Sequence, residues 1–95
     1  MEYSMRILAS NAAKQDVTCN VVIPGVVDTE AWERIGERRG QDMMSLVSSR
    51  VPLGKKAMDP THIGDVVSFL AQPTSGGRYI TGQSIPVDAG LTTLR

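Results

Sequence analysis

Apolar positions near the start of the chain recur at helical spacing. Tyr3 and Ile7 are four apart, as are Leu8 and Ala12, so the stretch from Glu2 to about Lys14 is expected to form a helix with one apolar stripe. Ala9, Ala12 and Ala13 add helix propensity. This helix opens at the first residues with no capping residue ahead of it, which leads to the expectation of a missing upstream segment. Lys14-Gln15-Asp16 breaks the pattern. From Val17 to Ile23 the chain is rich in β-branched residues and reads as a strand. Its run Cys19-Asn20-Val21-Val22-Ile23 is nearly continuous in apolar character, which suits a strand covered on both faces, as in a parallel sheet. Pro24-Gly25 stops it.

Thr29 is placed to cap a helix beginning at Glu30. Glu33 falls in its first turn and Arg34, Arg38 and Arg39 come later, an order that complements the helix dipole. Gly36 weakens this helix and Gly40 ends it. A second short helix is expected over Gln41–Ser49, with Met43, Met44, Leu46 and Val47 as its apolar content. Val51 to Met58 reads as irregular. Asp59 and Pro60 open the best-marked helix, as N-cap and first helical residue. Ile63, Val66, Val67 and Leu70 form its expected buried stripe, Phe69 extends it, and Pro73 ends it. Gly76-Gly77 reads as a loop. Ser84 to Asp88 reads as a second strand, with Pro86 pointing to a sheet edge because proline cannot donate to the ladder. Leu91 to Arg95 is a tail. The order is helix, strand, helices, strand. A crossover of about sixty residues between the strands makes them parallel with a right-handed connection, a βαβ unit preceded by a helix.

Composition narrows the class. The chain has 95 residues, 10 basic and 10 acidic, for a formal net charge of zero. That balance gives no global pull toward nucleic acid or anionic membrane. The four aromatics, Tyr3, Trp32, Phe69 and Tyr79, are scattered and make no base-stacking platform. A single cysteine, Cys19, forms no internal disulfide and favours a reducing compartment. No apolar run approaches the ~20 residues of a membrane helix, and the first residues do not read as a signal peptide. The expected location is cytoplasmic, with neither nucleic acid nor membrane as partner.

Four stretches carry a family resemblance. Asn20-Val21-Val22-Ile23-Pro24-Gly25-Val26-Val27-Asp28-Thr29 is similar to a strand followed by a Pro-Gly-x-(Ile/Val)-x-Thr turn. Tyr79-Ile80-Thr81-Gly82-Gln83-Ser84-Ile85-Pro86-Val87-Asp88-Ala89-Gly90 looks like an Ile-Thr-Gly-Gln stretch ending in Val-Asp-Gly-Gly. Between them lie Val51-Pro52-Leu53-Gly54-Lys55-Lys56 and the helix from Asp59-Pro60 to Phe69-Leu70-Ala71. In this order they resemble the C-terminal part of the short-chain dehydrogenase/reductase family, over essentially all 95 residues. The implied fold class is α/β, the C-terminal part of a Rossmann-like doubly wound parallel sheet. Residues 1–95 are then a single partial domain. The implied activity is that of an oxidoreductase using NAD or NADP. Hydride passes between the nicotinamide and a small-molecule carbonyl or alcohol, and a tyrosine supplies the proton.

Family members are longer, and two of their motifs do not occur in this sequence. Its nine glycines never fall into G-x-G-x-x-G spacing, the turn that seats the pyrophosphate. The family's Tyr-x-x-x-Lys pair has no counterpart either: Tyr3 has Ile7 at that offset and Tyr79 has Gln83. The resemblance places that pair just before Met1. The expectation is a C-terminal fragment, inactive alone, whose partner is either a missing N-terminal portion or further copies of itself. The alternative is a non-enzymatic interaction module. The family commonly builds subunit interfaces from the first helix and the last helix-strand pair. The acidic or basic residue that separates NAD from NADP would follow the second strand of such a fold, and this sequence does not contain it.

The resemblance assigns the turn after the first strand to the nicotinamide end of the cofactor. Pro24, Gly25, Val27 and Thr29 are the candidate cofactor-binding residues. The backbone at Val27 pairs with the carboxamide, and the Thr29 hydroxyl bonds carboxamide or phosphate. The turn leaves the carboxyl end of a strand, where open α/β sheets bind ligands. From residues alone it also reads as a plain strand-ending turn whose Thr29 caps the next helix. Trp32, Met43 and Met44 lie in the family's variable segment over the substrate, as pocket lining or as core. Arg34, Arg38 and Arg39 are interleaved with Glu30, Glu33 and Glu37, and the Glu30–Arg34 pair suits a self-neutralised, solvated face. His62 reads as a surface histidine, Cys19 as a small buried apolar residue, and Asp88 as the organiser of its turn. Ala89 stands where the family has glycine, so a positive φ there strains the turn. No catalytic residue and no metal site are assigned.

Overall fold

A computed structural model of the chain describes residues 2–39 and 43–92. Helix α1 spans Glu2–Ala13, strand β1 Val21–Pro24, helix α2 Glu30–Arg39, helix α3 Met43–Arg50, helix α4 Pro60–Ala71 and strand β2 Ser84–Val87. The helix-strand-helices-strand order is the expected one. The two strands form a two-stranded sheet. Val21 N–H donates to the Gln83 carbonyl and Gly25 N–H to the Val87 carbonyl. Both strands advance together between these bonds, so the pairing is parallel, as the long crossover requires.

By contacts the chain divides into two compact units, Met1–Ile23 with Gly64–Pro86, and Pro24–Ile63 with Val87–Arg95. In the first unit the core of α1 is Met5 and Ala9, which are buried. This corrects the expected stripe. Tyr3, Ile7 and Leu8 are 79%, 50% and 59% exposed. The helical spacing is real, but a face one residue round the helix is the one covered. The strand is also later and shorter than the apolar run. Cys19 N–H donates to the Thr81 hydroxyl at 3.0 Å, and the Asn20 side chain donates to the Ile80 carbonyl at 2.8 Å. These side-chain bonds, together with one backbone bond from Gly82 N–H to the Cys19 carbonyl at 2.8 Å, hold residues that the pattern assigns to a ladder, which starts only at Val21. Val21 and Val22 are half-buried and Ile23 is exposed, so β1 is not covered on both faces among the described residues.

Helix α4 starts where the cap predicts. Thr61 N–H donates to Asp59 Oδ1 at 2.9 Å and the Thr61 hydroxyl donates to the same oxygen at 2.8 Å. Its stripe is shallower than expected: Ile63, Val66 and Leu70 are half-buried, and Val67 and Phe69 are exposed. Beyond Ala71 the expected loop is a short 3-10 helix, Gly76–Tyr79. Ser75 caps it. Its hydroxyl donates to the Phe69 carbonyl and accepts from Gly77 N–H. Gly77 is required there, because a Cβ would sit 2.0 Å from the Phe69 carbonyl oxygen.

In the second unit α2 begins at Glu30, as the Thr29 cap position predicts, and Val47 and Val51 are buried. Gly40 and Gln41 lie outside the described residues. The segment between α3 and α4 is irregular, yet it is pinned. Val27 and Met58 form an isolated parallel bridge.

Candidate functional site

The turn after β1 is built from backbone bonds. Pro24 is the last residue of the strand. Gly25 N–H donates to the Val87 carbonyl at 3.1 Å. A Cβ on Gly25 would lie 2.8 Å from Asp88 Cα, so the glycine permits close packing on the segment after β2. Met58 N–H donates to the Val26 carbonyl and Asp28 N–H to the Met58 carbonyl, both at 2.8 Å. In a parallel bridge of this kind the central residue contributes neither group. Val27's own N–H and C=O therefore take no part in the ladder that clamps its neighbours. The turn is held rigidly on both sides of a half-buried residue whose peptide groups are not consumed by the hold. Thr29 is exposed and stands immediately ahead of α2. Pro24, Gly25, Val27 and Thr29 thus fall together on one short clamped turn.

The residues after β2 form a second rigid turn. Asp88 is 7% exposed, the only buried charged residue among those described. Its Oδ1 accepts from Gly90 N–H at 3.0 Å, and its Oδ2 accepts from the Thr92 hydroxyl and from Thr92 N–H at 3.3 Å. The Thr92 hydroxyl bond is the main cause that holds its pKa below the ordinary carboxylate value, with burial opposing and the backbone N–H groups adding. The turn organiser read from sequence is this residue. Ala89 has φ +54° and Gly90 φ +87°, so alanine occupies a left-handed position, as the departure from Gly-Gly suggests.

Other singled-out residues do not converge on this turn. Asp28 does line an open cleft of about 380 Å³ with Lys56, Asp59 and His62, two acids against two bases. His62 is exposed in the first turn of α4. Its charge is the least of the influences lowering the Asp59 pKa, after the backbone and side-chain bonds from Thr61 and against burial. Cys19 is half-buried and not in a disulfide. Glu30 and Arg34 pair at 3.0 Å, both exposed, as the solvated-face reading holds. The side chains of Trp32, Glu33, Arg38, Arg39, Met43 and Met44 lie outside the described set. No group of acidic, histidine or cysteine residues suited to a metal occurs among the described residues, and no helix there is long and apolar enough to cross a membrane. Sequence reading missed the Val27–Met58 bridge, because a single bridge between distant segments leaves no periodic signal.

A family model described as enoyl-(acyl carrier protein) reductase matches residues 1–92. The chain belongs to the short-chain dehydrogenase/reductase family. Family relatives include a diacetyl reductase [(S)-acetoin forming] of Staphylococcus epidermidis, 37% identical over 95% of this chain and 38% of that protein. Another is the 3-oxoacyl-[acyl-carrier-protein] reductase MabA of Mycobacterium tuberculosis, 36% identical over 90% of this chain and 32% of that protein. The chain thus spans well under half the length of these relatives. The fold is that of YwfH, an NADPH-dependent reductase involved in bacilysin biosynthesis, with TM-score 0.85 over 97% of this chain, 36% of that one, and 22% identity. In this family's Rossmann-like fold, ligands lie outside the carboxyl ends of the strands. That is the end of β1 from which the clamped turn leaves.

Proposed function

We propose that this short-chain dehydrogenase/reductase chain supplies the nicotinamide-receiving turn of an NAD(P)-dependent oxidoreductase acting on a small carbonyl or alcohol. The observation that carries this reading is the peptide pair of Val27, which the Val26 and Asp28 bonds to Met58 leave outside the bridge. A carboxamide has an NH₂ donor and a C=O acceptor, and one residue's C=O and N–H are its complement. The donor set therefore fits. Val27 binds the carboxamide through its backbone and so orients the ring. The Thr29 hydroxyl adds a bond to carboxamide or phosphate. The Met58 clamp keeps both from relaxing away. When bound, the nicotinamide supplies the carbon that gives or takes hydride. The NADPH dependence of the structural relative YwfH supports the cofactor class.

No tyrosine of this sequence has lysine four residues on, so the chain offers no counterpart to the family's proton donor. The purified chain is expected to leave NADPH unoxidised with diacetyl or a 3-oxoacyl thioester, followed by NADPH absorbance. Steady turnover overturns the claim that it is inactive alone.

A second reading, an association module, is favoured by one observation. Tyr3, Ile7 and Leu8 on α1, and Val67 and Phe69 on α4, are exposed apolar side chains. This reading places further copies, or the remainder of a dehydrogenase fold, over those residues.

A further inference from the structure

We infer that Asp88 is a positioning residue for the nicotinamide turn, acting through Gly25. This inference rests on the reading of Val27 as the carboxamide contact. Three contacts carry it, all within the unit formed by residues 24–63 and 87–95. First, Gly25 packs so closely on Asp88 that an added Cβ would meet its Cα at 2.8 Å, its Cβ at 2.9 Å and its carbonyl oxygen at 3.1 Å. Second, Gly25 N–H is tied at 3.1 Å to the carbonyl of Val87, the residue before Asp88. Third, Leu53 N–H donates at 3.0 Å to the carbonyl of Ala89, the residue after it. The Asp88 backbone is therefore held from both sides, and its carboxylate fixes the remaining freedom by accepting from Gly90 and Thr92.

These bonds explain why a charged residue is buried there. A carboxylate accepting several N–H and O–H bonds is a rigid hub, whereas an apolar side chain leaves those donors unpaired. They also explain how Ala89 persists at φ +54°: a strained residue is kept in place when its surroundings over-determine it. Val27 is clamped by Met58 on one side, and on the other the chain runs through Val26 to Gly25, which rests on Asp88. Asp88 touches neither cofactor nor substrate. It sets where the Val27 peptide pair stands.

The test uses the ¹⁵N-labelled full chain, with nicotinamide mononucleotide as probe. Amide spectra are recorded free and with probe for the unaltered chain and for Asp88→Ala, Asp88→Asn and Gly25→Ala. In the free chain, Asp88→Ala and Gly25→Ala move the amide signals of Gly25, Val26 and Val27 and leave those of Cys19 and Gly82 in place. Asp88→Asn keeps one acceptor oxygen for Gly90 N–H and recovers part of the change. With probe, the Val27 shift of the unaltered chain is lost in Asp88→Ala and partly regained in Asp88→Asn, a rescue that general loss of stability does not produce. Unmoved Gly25, Val26 and Val27 signals in Asp88→Ala overturn the inference. A probe that shifts no amide of the unaltered chain overturns the nicotinamide reading instead, and the free-chain spectra still decide the role of Asp88. Should Asp88→Ala fail to fold, Asp88→Asn and Gly25→Ala carry the same comparison.

Discussion

Ala89 holds a backbone conformation that glycine tolerates and alanine resists, φ +54°. The left-handed region costs a non-glycine residue about 1–2 kcal/mol, part of which glycine returns as greater freedom of the unfolded chain. Ala89→Gly is expected to stabilise the chain by about 0.5–1 kcal/mol, read as a higher urea midpoint with unchanged slope. Of the carboxylates, Asp88 and Asp59 have pKa values held below the ordinary 3.8 by their bonds, chiefly from the Thr92 hydroxyl and from Thr61 N–H respectively. A depressed carboxyl stabilises the fold above its unfolded value, and that contribution is lost as pH falls through the folded value. The urea midpoint is therefore expected to hold from neutrality down toward pH about 4 and to drop below it. In Asp88→Asn that acid limb is shallower. An equally steep limb in Asp88→Asn contradicts the assignment. The turn role of Asp88 and the strain at Ala89 were legible in the sequence, because each follows from one residue type at one turn position. The reason Gly25 must be glycine was not, because its neighbour Asp88 is distant along the chain.

At the scale of elements, what is local could be read and what is tertiary could not. Helix α4 begins at Pro60 because Asp59 supplies the cap and proline has no N–H to waste, and both signals lie within three residues. Asp59→Ala removes that acceptor from Thr61 N–H and is expected to lower helical circular dichroism and the urea midpoint; Asp59→Ser retains an acceptor and stays close to the unaltered chain. The start of β1 escaped the pattern because the Thr81 and Asn20 side chains hold this stretch beside a single backbone bond, Gly82 N–H to the Cys19 carbonyl, and the regular ladder begins only at Val21. The 3-10 helix at Gly76–Tyr79 escaped it because Ser75 reaches back to Phe69, outside any local turn window. The Val27–Met58 bridge was hidden for the same reason, and it shapes the candidate site more than any periodic element does.

For the whole molecule, the family emerged from motif order, while the burial of its faces did not. Spacing on α1 and α4 marks apolar stripes, but it does not say what covers them. Tyr3, Ile7, Leu8, Val67 and Phe69 are exposed in the described structure. The association reading proposed above places a partner over these residues. Sedimentation at tens of micromolar is expected to show species larger than the 10.2 kDa chain, and a clean monomer counts against the association reading. The chain covers 38% of its diacetyl reductase relative, and the site proposed for it is the nicotinamide turn rather than the proton donor. The most direct test of that claim is titration of the ¹⁵N-labelled chain with nicotinamide mononucleotide, followed by amide spectra. Saturable shifts centred on Val27 and its neighbours through Thr29, with Cys19 and Gly82 unmoved, are the predicted result. Shifts absent from that turn, or spread evenly over the chain, contradict it.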